Sequence, residues 1–289
     1  MRMVWVARIA WLAVALTPGA LSMHGSSRGA MLEGGDTAQL AALIMLWLAW
    51  VVVAFGVIVL HPLSLAAVRW FAPMLAAHLA WNLPASNEPI AVRLLAAVSA
   101  GITLAVVFRA EYSARHVQAA AYGHERRHLL KPPVAVILPS GIVWLSAVVF
   151  AAVALQSHDI VVVLPATTAS VAVATFGWWR VAVLARRWLV LVPAGIALHD
   201  PLMLRDTFMV RRHDLRSVTT TSSIKTLDSL DLTGTTWGDN LTLTLSHLHD
   251  VSLSPFGARM TGTLDRVHVQ SLRVAPSRLA SARDEVSGS

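Results

Sequence analysis

Over the first two thirds of the chain apolar residues run together in long blocks; over the last third they alternate with polar ones, and the change falls near Arg186. A hydrocarbon core about 30 Å thick needs roughly 20 apolar residues per crossing helix. Six segments meet that length, near 3–22, 38–60, 63–81, 90–108, 134–155 and 160–184. The second, fifth and sixth are the clearest. The first carries Arg8, Pro18 and Gly19 and reads either as a retained helix or as a signal peptide, because Arg2 and Arg8 precede an apolar run that ends in small residues. A tidy A-x-A cleavage site is lacking, which favours the retained helix.

From Arg187 the period becomes two. Trp188, Val190 and Val192 alternate with Leu189 and Leu191, and Pro193-Ala194-Gly195 turns the chain into Ile196-Ala197-Leu198, which predicts a hairpin. Further strands are predicted at 207–210, 216–224, 228–233, 241–246, 250–254 and 266–274, with turns at Gly234, Gly238-Asp239-Asn240 and Pro255-Phe256-Gly257. Leu241, Leu243 and Leu245 against Thr242 and Thr244 make the cleanest half-buried strand. Ser277 is placed to cap a short closing helix from Arg278 to Val286. The predicted fold class is an α-helical transmembrane bundle of about six helices over 1–186, followed by a small mainly-β domain over 187–289.

Composition agrees with that division. With 56% hydrophobic and 13% charged residues the chain lies far outside the range of a soluble domain. Cysteine is absent, which removes disulfides, thiolate zinc sites and cysteine nucleophiles together. Only Lys131 and Lys225 among the 23 basic residues are Lys, a bias that GC-rich bacterial genomes commonly produce. Eleven Arg or Lys face six acids before Arg186, and 12 face ten from Arg186 onward. The near-balanced tail offers no basic face for nucleic acid. The excess lies in membrane-flanking loops, where it sets orientation. Arg109, Arg115, Arg126, Arg127 and Lys131 make the 109–133 loop cytoplasmic, while the 156–159 turn has no basic residue and faces outward. Threading the chain through six helices then places both termini in the cytoplasm of a bacterial cell, in a multi-pass plasma-membrane protein.

No acidic residue falls inside a predicted span, since Glu33, Asp36, Glu88, Glu111, Glu125 and Asp159 all lie in loops. Ion-coupled carriers usually keep a carboxylate inside the membrane, so ion-coupled transport is disfavoured. Arg69 and His78 fall within the third span and read as interfacial side chains that snorkel. Small residues four apart predict close helix packing on three faces: Ala72, Ala76 and Ala80; Ala97 and Gly101; and Ala166, Ser170 and Ala174.

A run of strands directly after a membrane helix, opened by Arg187-Trp188-Leu189-Val190-Leu191-Val192-Pro193-Ala194-Gly195-Ile196, continued through Arg211 to Val218 and closed by Leu272-Arg273-Val274-Ala275-Pro276-Ser277, resembles the bacterial pleckstrin-homology-like (PH-like) domain over the last third of the chain. More broadly, the segments Glu125-Arg126-Arg127-His128-Leu129-Leu130-Lys131-Pro132-Pro133 and Val192-Pro193-Ala194-Gly195, the latter followed by His199-Asp200-Pro201, resemble a group of uncharacterised actinobacterial polytopic membrane proteins. The first resemblance implies a β domain that docks proteins or lipids; the second implies no activity or catalytic residue.

The sharpest chemical pattern is His124-Glu125-Arg126-Arg127-His128, an H-E-x-x-H. On a helix the two histidines share a face and can bind zinc, with Glu125 as general base. Arg126 and Arg127 beside a dication, the Pro132-Pro133 stop and the preceding Gly123 favour a basic surface segment instead. His247 and His249 lie on one strand face, as a metal pair or as exposed histidines, and the exposed reading is preferred. His199-Asp200-Pro201 reads as a turn opened by Asp-Pro. No phosphate-cradling loop, G-x-S-x-G or paired-carboxylate signature occurs, so no enzyme activity and no cofactor are expected. The expected role is a non-enzymatic scaffold or adaptor whose β domain binds a protein partner or anionic lipid, with Arg205, Arg211, Arg212 and Arg216 as the contact residues. The alternatives are a lipid or small-molecule transporter without ion coupling, and a zinc hydrolase using His124, Glu125 and His128.

Overall fold

The computed structural model describes residues 2–17, 36–221, 229–234 and 238–288. They form two compact units, one of Met1–His116 with Ile142–Trp178 and one of Val117–Gly141 with Trp179–Ser289.

The helical unit starts with α1 (Arg2–Val14), whose last turn is continued by the Thr17 amide donating to the Val14 carbonyl. The rest of the predicted 3–22 span, and most of the acidic 23–37 loop, lies outside the described residues. Next come α2 (Asp36–Ile58), α3 (Pro62–Asn82), α4 (Ile90–Val107), the short α5 (Ala110–Gln118), α6 (Val134–Gln156) and α7 (Ile160–Leu184). Among the described residues five helices, α2, α3, α4, α6 and α7, are long and apolar enough to cross a membrane; α1 at 13 residues is not one of them. The chain thus has the helices of a multi-pass membrane protein. Their outer faces carry large apolar side chains, such as Phe55, Leu138 and Val161, the last 74% exposed. Such a surface is stable against lipid and unstable against water.

Packing within this unit has local causes. A Cβ on Gly56 would collide with the Val68 side chain and the Ser64 carbonyl, so α2 and α3 approach only because position 56 has no side chain. Gly177 is less tightly placed, a Cβ there meeting Trp144 and Val143 at 3.2 Å, and the Ser170 hydroxyl donates across to the Ala147 carbonyl at 2.9 Å. The face predicted from Ala166 and Ser170 is therefore a real contact. The other two predicted faces are shifted. On α4 the buried residues include Ala96, Ser99, Ala100 and Thr103, while Ala97 and Gly101 are exposed; in the second half of α3 they include Ala72, Leu75 and Leu79, and Ala80 is exposed. A small-residue stripe marks where close approach is possible, but the neighbour chooses the face.

The second unit is mainly β. One sheet has the order β1-β2-β3-β4, all antiparallel, from β1 (Arg126–Leu129), β2 (Trp188–Val192), β3 (Gly195–His199) and β4 (Phe208–Arg211). The other has the order β5-β7-β8-β6, from β5 (Leu215–Thr221), β6 (Ser229–Asp231), β7 (Asn240–Ser252) and β8 (Arg266–Val274), with β6 parallel to β8. A short α8 (Pro255–Thr261) joins β7 to β8, and α9 (Leu279–Ser287) closes the chain. Leu189, Leu191, Ile196 and Leu198 from the first sheet and Leu241, Leu243, Leu245, Leu272 and Val274 from the second share one core, with Val286 of α9 packed into it.

Most predicted strands lie where the alternation put them, and the closing helix forms within a residue of its predicted bounds, but with Arg278 rather than Ser277 at the N-cap and no side-chain cap; residues 222–224 and 228 fall outside the described residues. Three differences have physical reasons. β7 is one strand where two were predicted, because its pairing with β8 shifts register at a bulge between Thr244 and His249 and resumes beyond it. The predicted Pro255-Phe256-Gly257 turn opens a helix: Ser254 is the N-cap, its hydroxyl accepting from the Gly257 amide at 2.9 Å, and Pro255 follows at the first helical position. Finally, 126–129 within the predicted loop is a strand, paired to β2 along its whole length.

Candidate functional site

Arg211 ends β4, Arg212 opens a 3-10 turn (Arg212–Asp214), and Arg216 is the second residue of β5, so three of the four candidate arginines are gathered on one connection. All three are exposed. Arg205 is also exposed but precedes β4 at its other end, where its amide donates to the Ser252 carbonyl at 3.0 Å; it does not join the group.

Arg212 and Arg216 flank a cleft of about 310 Å³. Its apolar wall is Ile196, Leu215, Val218 and Val286, and its polar rim adds Ser217 and Ser287. Ile196 and Val286 are core residues, 4% and 3% exposed, so the floor belongs to the core while both arginines are exposed. Cations over an apolar floor suit a ligand with an anionic head and a short apolar portion. The sequence pointed to the arginines but not to Val286 and Ser287, whose part in the cleft depends on α9 returning to β5.

The most buried charge pair holds the unit together rather than forming a site. The Arg187 guanidinium, 1% exposed, donates from Nε and Nη2 to the two Asp200 oxygens at 2.8 and 2.7 Å, and from Nη1 to the Lys131 carbonyl at 2.9 Å. Asp200 also accepts from the amides of Leu202 and Met203, as an Asp-initiated turn does. Buried ions persist when their donors and acceptors are paired, and here Asp200, the Lys131 carbonyl and, at 3.4 Å, the Leu232 carbonyl meet the guanidinium from segments distant in sequence.

The H-E-x-x-H reading required a helix, and the structure does not provide one. His124 lies in a turn after Gly123, at φ 55°, and His128 lies in β1, so the two imidazoles do not share a helical face. Glu125 is held by Arg127, which donates from Nε and Nη2 at 3.1 and 2.8 Å, and this bonding keeps its carboxyl below the usual carboxylate range. His128 is buried with Nε2 3.3 Å from Glu285 of α9. Burial lowers its pKa, and the opposing pull of Glu285 does not restore it. His247 and His249 do share a face of β7, with ring centroids 4.3 Å apart.

In the helical unit two arginines cap helix ends. Arg8 donates to the carbonyls of Val57 and Ile58 at 3.0 and 2.6 Å, and Arg69 donates to that of Val107 at 3.0 Å. The last carbonyls of α2 and α4 lack intrahelical partners and carry the negative end of the helix dipole, so a guanidinium there is stabilising. His78 sits one turn from Asn82, whose amide donates to the His78 carbonyl at 2.9 Å. Compared with known proteins, the chain matches no family model, no curated protein and no solved structure.

Proposed function

We propose that this is a bacterial plasma-membrane scaffold whose cytoplasmic, PH-like β unit holds an anionic phospholipid headgroup, or a partner bearing the same chemistry, in the cleft between Arg212 and Arg216. The observation that carries the reading is the cleft itself, with two exposed arginines beside an apolar floor that includes core residues. Two four-stranded sheets around one core, closed by a C-terminal helix, support the PH-like description. The pairing of β1 with β2 supports the orientation, because strands on either side of the α6–α7 pair bond only when both lie on one face of the membrane. The basic residues of that segment, Arg126, Arg127 and Lys131, favour the inner face.

The test uses the full chain in detergent, titrated with phosphatidylglycerol or with phosphatidylcholine in mixed micelles. Each arginine near an anionic surface is worth about 1 kcal/mol. Replacing the pair by R212A/R216A should therefore weaken phosphatidylglycerol binding by about thirtyfold and leave phosphatidylcholine unaffected. Equal binding of both lipids, or no change in the variant, removes the reading. R205A serves as the control that should not respond.

A further inference from the structure

We infer that Asp214, His247 and His249 bind a single divalent transition-metal ion, of the zinc and cobalt class, on the β unit. Each residue offers one ligand atom, and these atoms lie within 4.8 Å of one another. Their positions follow from the fold. The period of two puts both imidazoles on the same face of β7, and the 3-10 turn before β5 brings Asp214 to that face. The bulge against β8 between Thr244 and His249 lies at the same place, and bulges commonly re-aim side chains at sites.

The ordinary explanation of the cluster is an ion pair, with His247 Nδ1 3.7 Å and the exposed His213 Nε2 3.5 Å from Asp214 Oδ1. That explanation leaves out His249. Its Nε2 is buried with no hydrogen-bond partner, while Phe208 meets the ring edge-on with centroids 6.1 Å apart. A buried nitrogen with a free lone pair or N–H carries a desolvation cost that a metal bond would offset. Imidazole nitrogens select zinc, cobalt, nickel or copper over calcium and magnesium, which prefer all-oxygen shells. Two histidines and one carboxylate are also a known zinc ligand set that leaves a coordination position open. None of the three residues is among those lining the lipid cleft, and the inference does not depend on that reading.

The experiment uses the full chain without an affinity tag, in nanodiscs, stripped with chelator and titrated with Zn²⁺ by calorimetry and with Co²⁺ by visible absorption. One site per chain is expected, with an absorption spectrum of nitrogen and oxygen ligation, and bound Zn²⁺ should raise the unfolding temperature of the β unit by mass action. H247Q, H249Q and D214N should each weaken binding by about tenfold or more, whereas H268Q, at the exposed His268–Asp250 pair, should leave it unchanged. Metal-free unfolding temperatures show whether each variant is folded, and D214N, at a partly exposed position, provides a second variant should a histidine replacement fail to fold. The inference is overturned if no stoichiometric site is found, or if the site persists in H247Q/H249Q.

Discussion

Arg187 shows how much one residue can decide here. In the sequence it is one more arginine at the end of a membrane helix; in the structure it is buried and joins Asp200 to the Lys131 carbonyl. Removing one partner of a buried pair leaves the other charge uncompensated, at a cost of about 3–5 kcal/mol. Arg187→Ala should therefore unfold the β unit at a much lower temperature, and Arg187→Lys should rescue it poorly, because an ammonium cannot reproduce the two-pronged bond. Thermal denaturation followed by β-sheet circular dichroism checks both. His128 and His199 add a dependence on pH, as burial lowers both folded-state pKa values. The unfolded chain takes up these protons near pH 6.5, and the folded chain only at lower pH. Stability is thus full above about pH 6.5 and drains away as the pH falls toward the folded values. His128→Gln should flatten that decline between pH 7.5 and 5.5; an unchanged slope would exclude His128 as a source.

Among the elements, two glycines in membrane helices make opposite predictions. Gly56 has Val68 and Ser64 against the place a side chain would occupy, whereas Gly101 has nothing within 4 Å. Gly56→Ala should cost about 1–3 kcal/mol by overpacking, while Gly101→Ala should be neutral or gain up to about 1 kcal/mol from helix propensity. Unfolding in graded detergent mixtures would distinguish them, and equal responses would show that the α2–α3 crossing is not set by position 56. In the sequence both residues belong to apolar runs with small neighbours. Only packing separates them, since a periodic stripe does not state which neighbour it meets.

For the whole molecule, the connection from β1 to β2 matters most. These strands are antiparallel neighbours, and the Leu130 amide donates to the Arg187 carbonyl at 3.0 Å, so residues 130 and 187 stand where a hairpin turn would join them. The α6–α7 pair is inserted at that turn. A fragment of 187–289 lacks β1, leaves the β2 edge unpaired and strips Arg187 of the Lys131 carbonyl. It should be aggregation-prone or partly unfolded. Joining 119–131 to 187–289 through a short Gly-rich turn should restore a cooperative transition. If 187–289 alone unfolds as cooperatively as the joined form, β1 is dispensable.

The apolar blocks settled the five long helices within a few residues, because a span must be long and apolar wherever it goes, and the period of two settled most strands, because one face of each meets a core. Composition also fixed the change of character at Arg186. What the sequence could not determine was every feature made by residues far apart meeting. Five of the seven residues from Glu125 to Lys131 are polar or charged, three of them in β1, and the role of β1 as an edge strand depends on β2, some 60 residues later. The Arg212–Arg216 cleft needs α9, the Arg187–Asp200 pair needs Lys131, and His249 meets Asp214 only because β5 and β7 are paired. Local pattern encodes which face of an element is buried; the identity of what buries it is decided by the tertiary structure.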